Sequence, residues 1–209
     1  MAERKGGAAA PETTSTIRGE DWYGRDLTGE VFENVLFLDV DLSEATGHGA
    51  VFTECTFRGT RFNASELGGA AFTNCTFRRT NFFCAAFTGC KFVGSMFDDC
   101  SHDAMKVTGG DWSFVGLPGA KLGGATFERV RMREADLTGA RCTGGTLRNC
   151  DLSGAWLGAA VFERCDLRGS DLSALDPATI STVSLKGAII TYDQAVVVAM
   201  GLGLDVRPD

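Results

Sequence analysis

The sequence predicts an all-β fold: a parallel solenoid with four-sided coils, closed by one short C-terminal helix. Three observations predict it. First, an apolar residue recurs at every fifth position, in one unbroken register, from Trp22 to Leu172. Of the 31 positions in that series only Gly47 and His102 are not apolar, and 13 of the 15 phenylalanines lie on it. A period of five fits neither a helix at 3.6 residues per turn nor a strand at 2.0, so it marks an internal repeat. Second, the residue two before each centre is small; between Ala45 and Ser170 only Met105 departs from Ala, Cys, Ser, Thr, Val or Gly. Third, the residue two after the centre is Gly in 14 of the 31 repeats and Asn at Asn34, Asn74 and Asn149. These residue types tolerate the positive φ of a turn. The chain therefore turns a corner every five residues, and four corners close a 20-residue coil.

Taken in order, residues 1–19 carry Gly, Ala, Thr and one Pro without apolar periodicity and read as a disordered N-terminal tail. Residues 20–175 form the solenoid body. Parallel coils rise about 4.8 Å each, so just under eight coils give a rod roughly 37 Å long. Residues 20 apart stack: Phe32, Phe52, Phe72 and Phe92 on one face, Phe37, Phe57, Phe77 and Phe97 on another. Pro118-Gly119 supplies the favoured pair for a type II turn. Residues 176–209 hold a final partial coil and a helix. The register breaks at Asp176-Pro177, because Pro lacks a ladder donor and restricts the residue before it. Leu185 and Ile190 then restore a shifted register, and the Thr191 to Gln194 spacing is that of a capping box. A helix follows over about 192–200, ended by Gly201 or Gly203.

That helix and its flank, with Ala195, Val196, Val197, Val198, Met200, Leu202 and Leu204, lack a free polar face. A solenoid end needs a cap, but a cap alone would be polar outside. The remaining apolar side is expected to form a homodimer interface. Six of the eight cysteines (55, 75, 90, 100, 150 and 165) occupy the small inward position, and Cys142 is a centre. Only Cys84 is off-pattern. They read as reduced core filler rather than disulfide partners or metal ligands. No segment has 18 consecutive apolar residues, and no signal-peptide core is present, so a cytoplasmic protein with no membrane partner is expected.

The five-residue unit, together with the stretches AAFTNCTFRRTNF and FTGCKFVGSMFDDC and the tail DPATISTVSLKGAIITYDQAVVVAMGL, resembles the pentapeptide-repeat family. Within it the match is to the MfpA-like, mycobacterial fluoroquinolone-resistance subgroup, with the plasmid-borne quinolone-resistance proteins more distant. The resemblance implies a right-handed quadrilateral β-helix, dimerisation through the C-terminal ends, and DNA gyrase, a type II topoisomerase, as the protein partner. The resemblance further implies that the rod stands in for duplex DNA and protects against quinolones or other gyrase poisons. The repeat alone fits a second reading equally, a β-helical scaffold for a different protein partner.

An enzyme is not expected. Ser101-His102-Asp103 superficially has triad chemistry, but adjacent residues on a strand point to opposite sides. His48 sits on an outward position. No catalytic residues, cofactor-binding residues, metal ligands or direct nucleic-acid contacts are expected. What remains is charge. The formal net charge is −7, with ten acids against three bases over 20–66. Acids near a C-terminal join would be doubled by dimer symmetry, which makes Asp151, Glu163, Asp166, Asp171 and Asp176 the first partner-contact candidates. Asp21, Asp26 and Asp41 at the distal end are the second set. Duplex DNA carries a charge per about 1.7 Å, whereas a dimer about 80 Å long with twice this net charge carries one per roughly 6 Å. Shape and placement must do what total charge does not.

Overall fold

A computed structural model describes residues 10–207. The chain returns above itself every 20 residues, and parallel pairing fixes that period on four faces. On the first, strand Ser15–Arg18 pairs with Val35–Leu38, and the ladder continues through Thr56–Arg58, Thr76–Arg78 and Met96–Asp98. On the second, Thr46–His48 leads through Glu66–Gly68, Ala86–Thr88, Lys106–Thr108 and Thr126–Glu128 to Thr146–Arg148. The third starts with Val31–Glu33, Val51–Thr53 and Ala71–Thr73 and continues as single bridges through Lys91, Asp111 and Arg131 to Asp151. The fourth consists of bridges alone, from Asp21 through Asp41, Arg61 and Asn81 to Ser101, then from Lys121 through Arg141 to Val161. The fold is the quadrilateral parallel β-helix that the period of five predicts.

The core follows directly from the repeat. Every centre from Phe37 to Leu172 is buried except Gly47, and the small positions between them are buried almost throughout. Phe37, Phe57, Phe77 and Phe97 stack at 4.7 Å between successive ring centroids, and Phe72 and Phe92 at 4.5 Å. These spacings are those of adjacent parallel strands, so each ring lies on the next without tilting off the ladder. The corners cost more than composition suggested. Among the described residues, sixteen other than glycine hold φ between 51° and 60°, including Ala64, Cys84 and Phe114. Each such residue in the left-handed region is disfavoured by about 1–2 kcal/mol relative to Gly. The ladders on both sides of every corner hold them there.

The tail reading needs correction. Residues 1–9 lie outside the described residues, but Ser15–Arg18 is a strand, with Ile17 opposite Phe37. Ile17 lies five before Trp22 and continues the register; with polar neighbours and one missing partner strand it was easy to pass over.

At the other end Asp176 caps α1 (Pro177–Ile180), accepting from the Thr179 N–H at 2.7 Å, with Pro177 in the first turn where no N–H is needed. The insertion shifts the pairing from 20 to 23 residues, so Val161 bridges Ser184 and Asp166 bridges Ile189. Helix α2 (Tyr192–Gly201) follows, with Thr191 and Gln194 forming the expected capping box. Gln194 also seals the open coil: its buried amide donates to the carbonyls of Leu167 and Ser170, both at 2.7 Å. Without a further coil those carbonyls would have no donor. Gly201 lies against the Leu175 carbonyl, where a Cβ would collide with backbone, and Gly203 just beyond the helix has φ +84°.

Candidate partner-binding surface

Three kinds of surface stand out once the ladders are in place: the acidic positions, the apolar end and one recess at a corner of the rod. The aspartates just before the centres have a structural task. In Asp21, Asp26, Asp41, Asp111, Asp136, Asp151, Asp166 and Asp171 the Oδ1 atom accepts the backbone N–H two residues on, at 2.8–3.2 Å. Each closes an Asx turn. The sequence showed their recurrence; it did not show this hydrogen bond.

Several of these carboxylates are also neutralised within the chain. Asp41 meets Arg61 at 2.8 Å, Asp111 meets Arg131 at 3.2 Å, Asp151 meets Arg133, and Asp166 meets Arg148 and Arg168. Arg61 and Arg131 sit one coil further along the same column. For Asp41 and Asp151 partial burial pushes the carboxyl up, but the hydroxyl, amide and guanidinium donors outweigh it and hold both below the ordinary range. In Asp166 the bond from Arg168 leads, with the same direction. Such exposed pairs contribute about 0–1 kcal/mol each, but they remove charge from the surface that a partner meets.

Among the described residues, Asp21, Asp26, Glu163, Asp171 and Asp176 have no ion pair. Thr28 holds Asp26 low, and the Thr179 backbone holds Asp176 low. Glu163 accepts from the Ser184 hydroxyl at 2.9 Å. Asp151 and Asp171 share one column, and Asp21 and Asp41 another. The acids do not form uninterrupted stripes: one column runs Lys91, Asp111, Arg131, Asp151, and another passes from Asp41 to Arg61.

The apolar end is divided. Val197 and Val198 pack against the core, as part of the cap. Val196, Met200, Leu202 and Leu204 are exposed, as are Tyr192, Ile189 and Val206, and Ala195 lies open beside them. The outward face of α2 is therefore carried by Val196 and Met200 together with Tyr192, which the sequence reading had not singled out.

Of the two histidines one is exposed and one is buried. His48 is exposed and lies over Gly68. His102 is buried on the Phe82 ladder, its ring stacked 5.8 Å from Phe82, and neither nitrogen has a well-formed hydrogen bond. Of the eight cysteines six are buried, Cys100 is half-buried and Cys84 is exposed at a corner. Burial pushes Cys90 and Cys150 up to about 11 and Cys165 up to about 12. No cluster of three or more His, Cys, Asp or Glu suited to a metal occurs among the described residues. No described helix is long and apolar enough to cross a membrane.

The recess lies at a corner between the third and first faces, with a volume near 390 Å³. Met96, Phe114, Glu134, Asp136 and Trp156 are among the residues that line it.

Among solved structures, full-length QnrB1, a plasmid-mediated fluoroquinolone resistance protein, is 24% identical, covers 92% of this chain and 99% of its own, and superposes with a TM-score of 0.41. HetL, a pentapeptide repeat protein involved in heterocyst differentiation regulation from the cyanobacterium Nostoc sp., is 19% identical, covers 85% of this chain and 86% of its own, and has a TM-score of 0.29. No curated protein sequence matches. The family model for pentapeptide repeats matches residues 26–63, 61–99, 117–154 and 147–176, more than half of the sequence. The chain belongs to the pentapeptide-repeat family.

Proposed function

We propose that this rod is a non-enzymatic protein that binds DNA gyrase in place of duplex DNA and so protects against quinolones or other gyrase poisons. The observation that carries the reading is the uninterrupted rod itself. From Trp22 to Leu172 no loop breaks the five-residue register, and the C-terminal cap presents exposed Val196, Met200 and Leu202. Two rods joined there make a longer, straight, acidic particle that a DNA-binding groove would accept. The MfpA-like character of the stretches around Phe72 and Phe92 and of the tail supports the same partner. Occupancy is the mechanism: with a rod in the groove there is no enzyme–DNA complex for a drug to trap.

The unpaired acids are the better contacts: Glu163, Asp171 and Asp176 near the join, then Asp21 and Asp26 at the far end. Asp41, Asp151 and Asp166 are already partnered by arginine. A gyrase supercoiling assay with increasing rod tests the reading. Inhibition at micromolar rod, weakened by Val196→Arg, is expected; no effect at tens of micromolar would leave the second reading, a scaffold for a different protein. That second reading is favoured by one observation, the internal neutralisation of four aspartates, which a charge mimic does not need.

A further inference from the structure

The first coil departs from the rule that the residue two before each centre is small. Those positions carry Glu20, Arg25 and Glu30, three charged residues in succession, before Val35 and Val40 restore an apolar series. Side chains at this position point into the core in later coils. Here Trp22 and Leu27 stand first in their columns among the described residues, so a side chain at the same position can turn over the end of the rod instead.

The three charged side chains converge on Trp22. The Arg25 guanidinium lies over the indole, 3.8 Å from the ring centre. Glu30 holds that guanidinium at 3.0 Å, and Glu20 accepts the indole N–H at 2.6 Å. Phe32 and Phe37 flank the ring, each 5.9 Å away. The next coil continues the column with Leu42, so the guanidinium takes the side where a preceding coil would lie. Its flat, weakly hydrated face covers an aromatic ring much as another ring would, while its edge keeps water and a carboxylate. Arg25 is the one Lys or Arg between residues 20 and 57, yet it pairs with Glu30 rather than with Asp21 or Asp26.

From this we infer that Arg25, with Glu20 and Glu30, plugs the N-terminal end of the rod in place of a further coil, and that the plug keeps two rods from joining through those ends. An aromatic column left bare and bordered by free strand edges would invite a second copy of the chain. Joining two plugged ends would instead strip water from two Arg25–Glu30 pairs and bring two Glu20 carboxylates together. The inference rests neither on gyrase as the partner nor on the C-terminal join.

The test uses the full chain carrying Val196→Arg, so that the C-terminal end is charged and any new association is read against that background. Adding Arg25→Ala should make the rods associate at least about tenfold more tightly than Val196→Arg alone in sedimentation equilibrium. Small-angle X-ray scattering of the associated species should show a longest dimension nearly twice that of the single rod, as end-to-end joining requires. Arg25→Met, which keeps a cover over the indole and drops the charge, should associate in the same way. Circular dichroism establishes that each variant keeps the β-rich fold. A folded Arg25→Ala that associates no more than its background at roughly 100 µM would overturn the inference. So would association side by side, with the longest dimension unchanged. If Arg25→Ala does not fold, Arg25→Met is judged by the same two criteria, and loss of fold in both would make Arg25 a core residue rather than a plug. No arm contains gyrase, so failure here and failure of the supercoiling assay are separate results.

Discussion

Replacing His102 by Leu should stabilise the protein and remove most of a pH-dependent loss of stability. The ring sits where the ladder otherwise carries Phe62, Phe82 and Leu122. Burial pushes its pKa down from 6.5 to about 4, opposed only by the Lys121 backbone and the Asp103 charge. The folded value is depressed, so between those two pH values the unfolded chain takes up a proton that the native state refuses. The stability is present above about pH 6.5 and is lost as pH falls toward 4. At about 1.4 kcal/mol per pH unit the loss reaches roughly 3 kcal/mol, and a domain of this size would lose roughly 6–12 °C of melting temperature. Arg79, Asp99, Asp103 and Lys121 line the space beside the ring. They are present in both proteins, as are all other carboxylates, so the difference between parent and variant isolates His102. At neutral pH the variant should gain about 1–2 kcal/mol from removing two buried nitrogens that lack well-formed hydrogen bonds. Urea unfolding of both proteins at pH 7 and pH 4.5 measures the two effects. If parent and His102→Leu lose stability equally on acidification, or if the variant is the less stable at pH 7, the ring is not the strained buried group described here.

Further expectations follow from the cap and the thiols. Gln194→Ala leaves the Leu167 and Ser170 carbonyls without their donors and should cost about 2–3 kcal/mol, read as a lower urea midpoint; an unchanged midpoint would mean water replaces the amide at no cost. Thiol titration of the native protein should show one fast cysteine, Cys84, and seven that react only on unfolding, so that Cys84→Ser abolishes the fast phase. Sedimentation should show a dimer for the parent and a monomer for Val196→Arg or Met200→Arg, both at exposed positions. Val197→Arg should instead unseat the cap, because Val197 packs on the core.

The solenoid was legible because its signal is long. A five-residue period repeated from Trp22 to Leu172 specifies face, core and rise together, and Phe stacking at 4.7 Å is its direct consequence. The strand at Ser15–Arg18 escaped because one coil without apolar neighbours carries little period, although Ile17 was in phase. The surface was legible only in part. Composition shows that aspartate recurs before the centres. It does not show that each accepts a backbone N–H, nor that Arg61, Arg131, Arg133 and Arg168 lie against four of them, because those pairs form across coils or turns. The Phe114 recess was likewise hidden: Phe114 is one of two phenylalanines off the register, and only the stacking brings it beside Gly116 and Trp156.

The central claim is that the rod occupies the place of DNA on gyrase, and displacement of DNA tests it most directly. A fluorescent duplex bound to gyrase should lose anisotropy as rod is added, at protein concentrations close to those that inhibit supercoiling. The effect should weaken with salt, less steeply than duplex binding itself, because fewer charges are involved. A rod that binds gyrase and leaves the duplex in place would contradict the account.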